Sequence, residues 1–295
     1  MSYVPVRRPR HIDLEVRGLR HHLTWWGEPT DSPVVLLHGF RDCGATWQFL
    51  VDCLPSHWSL VAPDWRGFGA SEPAPQGYWF PDYLADLEAM LDVLVPNGPA
   101  RLIGHSMGAN VAGLYCGVRP QRPKWLVNLE GVGLPRTTAD QAPERYARWL
   151  DELKQPLHEG AYPSVNRLAQ LLRERNPRLT PDRAEFIASA WTTGNSATDS
   201  VQLAFDPRHR LVNPVLYRRE EAEACWRCIR APVLLMVGGE SEHLTRAGFD
   251  RNSADLYELF RNLQVTTLPH VGHMMHHEDP GAVARHIIEF DRAHP

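Results

Sequence analysis

The sequence lacks any apolar run long enough to cross a bilayer: no window approaches the ~18 consecutive apolar residues of a spanning helix. Its beginning, MSYVPVRRPRHIDLEV, has no apolar stretch after the basic residues of the kind a secretory leader carries. A cytoplasmic protein that is not membrane-bound is expected. Cysteine is scarce as well. Cys43, Cys53, Cys116, Cys225 and Cys228 make an odd count of five, which argues against a disulfide framework and for reduced thiols. Cys225 and Cys228 form a CWRC. No second CxxC exists, and EEAEACWRCI has the pattern of an amphipathic helix, so it is read as neither a redox pair nor half a zinc site. An excess of one charge is also missing, because 31 Lys and Arg stand against 35 Asp and Glu, for a formal net charge of -4. With basic residues scattered, a nucleic-acid track is excluded and small molecules are the expected partners. A homodimer is left open.

What the chain does have is apolar residues in quantity, 43% of 295, enough for a large core with an insertion. DLEVRG and LRHHLTWWG read as a hairpin, and VVLLHG as a buried strand. A helical pattern in ATWQFLVDCL, the strand SLVAPD, the loop WRGFGASEP, the helix DYLADLEAMLDVL, the strand ARLIGH, a helix from Ser106 and the strand WLVNLEG follow in turn. This alternation implies parallel pairing and right-handed crossovers, hence a mostly parallel twisted sheet with helices on both faces. From Leu134 to about Arg230 the pattern is only helical, as in PERYARWLDEL, VNRLAQLLRER and PDRAEFIASAW. The sheet pattern resumes with PVLLMVGG, DLYELF, LQVTTLP and GAVARHIIEF, where Asp279 is the expected N-cap and Pro280 opens the first turn. The expected organisation is a core of residues 1–133 and 231–295, with a helical lid of residues 134–230 inserted after the sixth strand.

The stretch LIGHSMGANVAGLY sets Ser106 between Gly104 and Gly108, after a strand and before a helix. A G-x-S-x-G in that context reads as a nucleophile elbow, whose small neighbours let strand and helix backbones approach while the serine points out of the sheet top. A serine hydroxyl needs a base. His273, in the loop VTTLPHVGHMMHHEDP after the last strand, is the candidate, with His270, His276 and His277 as rivals. The spacing of these histidines permits a metal reading, but there is no HExxH on a helix, and no metal is expected. His105 can shape the turn without easily reaching the Ser106 hydroxyl. The attacked carbonyl needs donors for its negative charge: the Met107 N–H supplies one, and the Phe40 N–H, brought close by Gly39, the other.

Together LLHGF, DWRGFGASEP, GHSMG and VGHMMHHEDP, in that order and over almost the whole chain, resemble the α/β-hydrolase superfamily. LVNLEGVGLP and FDPRHRLVNPVLYRREE are similar to its serine hydrolase-like branch, with some likeness to haloalkane dehalogenases around the sixth strand. Dehalogenases and epoxide hydrolases of the superfamily carry aspartate at the elbow, where this chain has Ser106, and Met107 stands in place of the dehalogenase tryptophan. The resemblance therefore implies acyl transfer to water.

In most relatives the acid follows the seventh strand, at a position held here by Ser241 between Glu240 and Glu242; a one-residue insertion would bring Glu242 there. Some dehalogenase-like relatives place it at the end of the sixth strand, where this chain has Glu130. A glutamate ending an apolar buried strand is costly to leave unpaired, so Glu130 is favoured over Glu242 and Glu240. The expectation is a serine hydrolase that cleaves a carboxylic ester or lactone of a small to medium apolar substrate through an acyl-enzyme, with water as the second substrate and no cofactor. Trp149, Trp191, Leu134 and Leu203 are candidate pocket residues. Arginines in LLRERNPR and DPRHR keep open a carbon–carbon bond hydrolase acting on a dienoate or diketone. A ligand receptor on the same fold is the remaining alternative.

Overall fold

The computed structural model describes residues 3–157, 160–194, 200–249 and 254–295. The chain begins with an antiparallel hairpin of β1 (Arg10–Val16) and β2 (Leu19–Trp26). Then come β3 (Val34–Leu37), a 3-10 turn (Gly44–Trp47) running into α1 (Gln48–Val51), and β4 (Leu60–Pro63). Next are α2 (Phe80–Leu94), β5 (Ala100–His105), α3 (Met107–Val118) and β6 (Pro123–Leu129).

The inserted segment carries α4 (Ala142–Glu152), β7 (Ala161–Tyr162), α5 (Val165–Arg175), α6 (Pro181–Ala190), β8 (Thr192–Gly194), β9 (Val201–Leu203) and α7 (Arg219–Arg227). The chain then returns through β10 (Val233–Gly238), α8 (His243–Arg246), α9 (Ala254–Leu259), β11 (Leu263–Leu268), α10 (Met275–Glu278) and α11 (Pro280–Ala293). Asp279 caps α11 by accepting the Ala282 N–H. Among the described residues, no helix is long and apolar enough to cross a membrane.

The large sheet has the order β1-β2-β4-β3-β5-β6-β10-β11, antiparallel through β1, β2 and β4 and parallel from there on. Its central strands are apolar at consecutive positions because both faces are covered. Side chains alternate between two layers. Val35, Leu37, Leu102, Leu126 and Leu235 join Leu87, Val111 and Trp226 on one face. Val34, Leu36, Ile103, Val127 and Met236 join Leu50, Val283 and Ile287 on the other. Each such fully buried side chain is worth about 1.5–3 kcal/mol.

The insert is not wholly helical. The strands β7, β9 and β8 form a second, antiparallel sheet. Two- and three-residue strands are too short to show a period of two, which is why the sequence pattern gives helices alone there. In this segment α5 and α6 pack Leu168, Ala184 and Ile187 around Phe49 of α1, while Gly69 N–H donates to Ala204 O at 2.7 Å and Asp206 N–H to Gly67 O at 2.8 Å. The insert is thereby fixed to the loop after β4.

Buried histidines tie the loops together. Trp65 N–H donates to His38 Nε2 at 3.0 Å, His38 Nδ1 faces Gly39 O at 2.8 Å, and Trp65 Nε1 donates to His38 O at 3.0 Å. The two ring contacts define a neutral imidazole with its proton on Nδ1. His209 of the insert lies between the rings of Phe68 and Tyr78, at 3.9 and 3.4 Å. Burial lowers the proton affinity of His21 and His38 and pushes His209 down to about 3.

A histidine whose folded pKa is depressed leaves the unfolded chain with more bound protons below the ordinary value of ~6.5. Its contribution is complete above that value and is lost as pH falls. Stability in denaturant titrations is expected to decline steadily from about pH 7 to pH 4.5, with a shallower decline in His209→Gln. A flat or rising profile over that window would contradict the neutral state of these rings.

Candidate active site

The loops that follow β3, β5, β6, β10 and β11 gather outside the carboxyl ends of the parallel strands, where open α/β sheets bind ligands. Ser106 sits between β5 and α3 with φ 49° and ψ -113°. This left-handed conformation costs a non-glycine residue about 1–3 kcal/mol. The turn is held from both sides, by Ser106 N–H donating to Leu129 O and Asn110 N–H donating to Ser106 O, each at 2.9 Å. The flanking glycines have a steric reason. A Cβ on Gly104 would come within 2.5 Å of Ala109 Cα, and one on Gly108 within 2.2 Å of Leu37 O. Helix and strand can therefore approach only if both positions lack a side chain.

His273 lies in the loop after β11, its side chain 30% exposed. Its Nδ1 is 2.6 Å from Glu130 Oε2. Glu130 stands just past the end of β6 with φ 56° and no exposed surface. It also accepts the Gly238 N–H on Oε1 and the Ser241 hydroxyl on Oε2, both at 2.7 Å. A carboxylate accepts only, so His273 donates from Nδ1 and keeps the lone pair of Nε2. His105 Nε2 donates to His273 O at 2.9 Å and anchors the same loop. The ring of His243 stacks on His273 at 4.1 Å, and burial pushes its pKa down to about 4.

The other candidates lie elsewhere. Glu242 is 75% exposed at its side chain and pairs with Arg246 at 2.7 Å. Glu240 pairs with Arg178. His270 is exposed and faces Glu240 at 3.6 Å. His276 and His277 are buried, each with Nε2 3.7 Å from Asp42 Oδ2.

On the side of β3, a Cβ on Gly39 would lie 3.3 Å from Ser106 Cβ, so the backbone leading into Phe40 passes beside the serine. Met107 opens α3, and its N–H is among those with no acceptor within the helix. The loop is pinned by Asp42, whose Oδ1 accepts from Cys43 N, Thr46 Oγ1 and Trp191 Nε1 at 2.9, 2.6 and 2.8 Å. Trp191 is thus committed to the loop after β3. Leu203 packs with it against the Phe49 cluster, while Leu134 is exposed. Cys225 and Cys228 are free thiols at the end of α7.

Sequence reasoning missed the supporting parts: Ser241 as a donor to Glu130, His243 on the face of His273, and Asp42 beneath the loop. Ser241 alone left a signal, a hydroxyl at the position where relatives carry the acid.

The alpha/beta hydrolase fold family model matches residues 32–280. A serine hydrolase-like protein of Danio rerio is 27% identical over 282 residues, covering 90% of this chain and 83% of that protein. Epoxide hydrolase 3 of Siraitia grosvenorii is 36% identical over 132 residues, 44% of this chain and 41% of its own. The solved thioesterase domain from the curacin biosynthetic pathway matches with a TM-score of 0.80 and 26% identity, over 95% of this chain and 99% of that one. These likenesses support hydrolysis as the class of chemistry. The chain belongs to the α/β-hydrolase superfamily.

Proposed function

We propose that the protein is a serine hydrolase that cleaves a carboxylic ester or lactone of a small to medium apolar substrate through an acyl-enzyme. The observation that carries this reading is the 2.6 Å contact of His273 Nδ1 with the buried Glu130 carboxylate, in a loop tied by the His273 carbonyl to His105, the residue before the strained Ser106. His273 Nε2 takes the proton of the Ser106 hydroxyl as the oxygen attacks the acyl carbon. The oxyanion rests on the Phe40 and Met107 amides, and the imidazolium returns its proton to the leaving alcohol. Water then repeats the cycle. Glu130 holds the ring in its working tautomer and stabilises its cation. No cofactor enters these steps.

Residues 134–230 act as the lid, fixed to the core through Trp191 and His209. Two of the arginines that would recognise a dienoate carboxylate have other work: Arg208 pairs with Asp206 and donates to Pro75 O at 2.8 Å, and Arg178 pairs with Glu240. This favours an apolar ester over an acidic substrate.

Ser106→Ala is expected to lose turnover on p-nitrophenyl esters by roughly 10³-fold or more while unfolding like the wild type. Near wild-type turnover in the folded variant would remove the nucleophile. Glu130→Gln is expected to lower kcat on the order of 10³–10⁴-fold, whereas Glu242→Gln, out in solvent, changes it by less than about threefold. The opposite ranking would move the acid to the loop after β10. Across acyl chains from acetate to decanoate, kcat/KM is expected to rise with each methylene, by up to about 0.8 kcal/mol, and then to fall. A flat series would mean that the insert does not enclose the acyl chain.

A further inference from the structure

Behind the elbow lies a group of buried polar atoms that the proposed reaction does not use. Asp42, His105 and His276 are 3%, 2% and 0% exposed. They come from three distant segments, yet one donor atom from each lies within 4.8 Å of the others. Asp42 spends its Oδ1 on three donors, and its Oδ2 has no hydrogen-bond partner among the described residues. His105 donates from Nε2 to His273 O at 2.9 Å. Its Nδ1 therefore carries a lone pair, and that atom too is buried without a partner. Neither ring nitrogen of His276 has one; its Nε2 stands 3.7 Å from Asp42 Oδ2, beyond hydrogen-bond range.

A buried polar atom left unmatched costs about 1–3 kcal/mol, and more when charged. The Asp42 oxygen and His105 Nδ1 both lack a proton, and the single ring proton of a neutral His276 can serve at most one of them. A Lewis-acid cation satisfies both at once. We propose that Asp42, His105 and His276 form a structural site for a divalent transition-metal ion of the zinc class.

The donor set fits that class. Two imidazole nitrogens and one carboxylate oxygen suit zinc, cobalt, nickel or copper, whereas magnesium and calcium take oxygen ligands. With metal–ligand bonds of about 2.0–2.1 Å, tetrahedral ligand atoms sit roughly 3.3–3.4 Å apart, so the three atoms, all within 4.8 Å of one another, need draw together by about 1.5 Å at most. The outer contacts are those of metal ligands, since His105 donates its Nε2–H to a backbone carbonyl and the Asp42 carboxylate is hydrogen-bonded on Oδ1, the oxygen turned away from the site. His277 Nε2, buried, unpartnered and 3.7 Å from Asp42 Oδ2, is a candidate fourth ligand. Full burial makes the ion structural. It would fasten the loop of Phe40, the elbow of Ser106 and the segment just past His273 to one point.

The site rests on geometry that does not depend on the proposed esterase activity, and its test reads binding. Tag-free protein, stripped with a chelator, is titrated with Co²⁺ alone. One equivalent per chain is expected to bring up the visible d–d absorption of tetrahedral cobalt, to be displaced by Zn²⁺, and Zn²⁺ is expected to raise Tm. In His276→Gln, checked for folding by circular dichroism, cobalt affinity is expected to fall by more than roughly tenfold, the loss that even an outer partner of a metal ligand can cause. An anomalous difference map from zinc-soaked crystals of the unaltered protein locates the ion, whether or not the variant folds. Absence of cobalt absorption at millimolar Co²⁺, binding unchanged in folded His276→Gln, or anomalous density only at surface histidines would each overturn the site, leaving Asp42 and His276 as a hydrated or protonated polar pair.

Discussion

A carboxylate with no exposed surface has to be matched by donors, and Glu130 is matched by three: His273 Nδ1, Gly238 N and Ser241 Oγ, at 2.6, 2.7 and 2.7 Å. Two come from the end of β10 and the turn after it, and the third from the loop after β11. Removing the donors while keeping the charge would leave a buried ion whose cost runs to several kcal/mol. The arrangement therefore binds the end of β6 to the end of β10 and to the loop after β11, and it sets the direction in which the His273 ring can point. A packed parallel sheet is what makes this possible, because adjacent strand ends lie only about 4.7–4.9 Å apart.

Strain and close approach sit at the same places. Ser106 and Glu130 both have positive φ, and both lie at carboxyl ends of neighbouring strands, β5 and β6. Neither conformation is favourable in an isolated chain. The surrounding contacts over-determine them: Ser106 by hydrogen bonds to Leu129 and Asn110, Glu130 by its own side chain. Gly131 belongs to the same design. A Cβ there would come within 2.3 Å of Ala109 Cβ, so the chain leaving β6 passes flat against the first turn of α3.

Much of this was legible in the sequence because it depends on local signals. The strand–turn–helix context of Gly104, Ser106 and Gly108 follows from apolar runs and glycine spacing, and the need of Glu130 for a partner follows from the apolar run that it ends. Other features had no local signal. The strands β7, β8 and β9 are two or three residues long, and β7 finds its partner β9 some forty residues away. Trp191 is a candidate pocket residue in the sequence, and nothing local signals that its indole N–H bonds Asp42, which lies 149 residues earlier. The cluster of Asp42, His105 and His276 is likewise a product of topology, since only the crossovers of the sheet bring those segments together.

Activation of Ser106 by a His273 ring that Glu130 holds in place is open to a chemical probe. Labelling with a fluorophosphonate, followed by peptide mass mapping, tests it most directly, because the reagent reports nucleophilicity without any assumption about the natural substrate. A single adduct is expected, on Ser106, whose rate of formation falls on the order of 10³-fold or more in folded Glu130→Gln and His273→Ala. An adduct on another residue, or a Ser106 labelling rate that neither substitution alters, would contradict it.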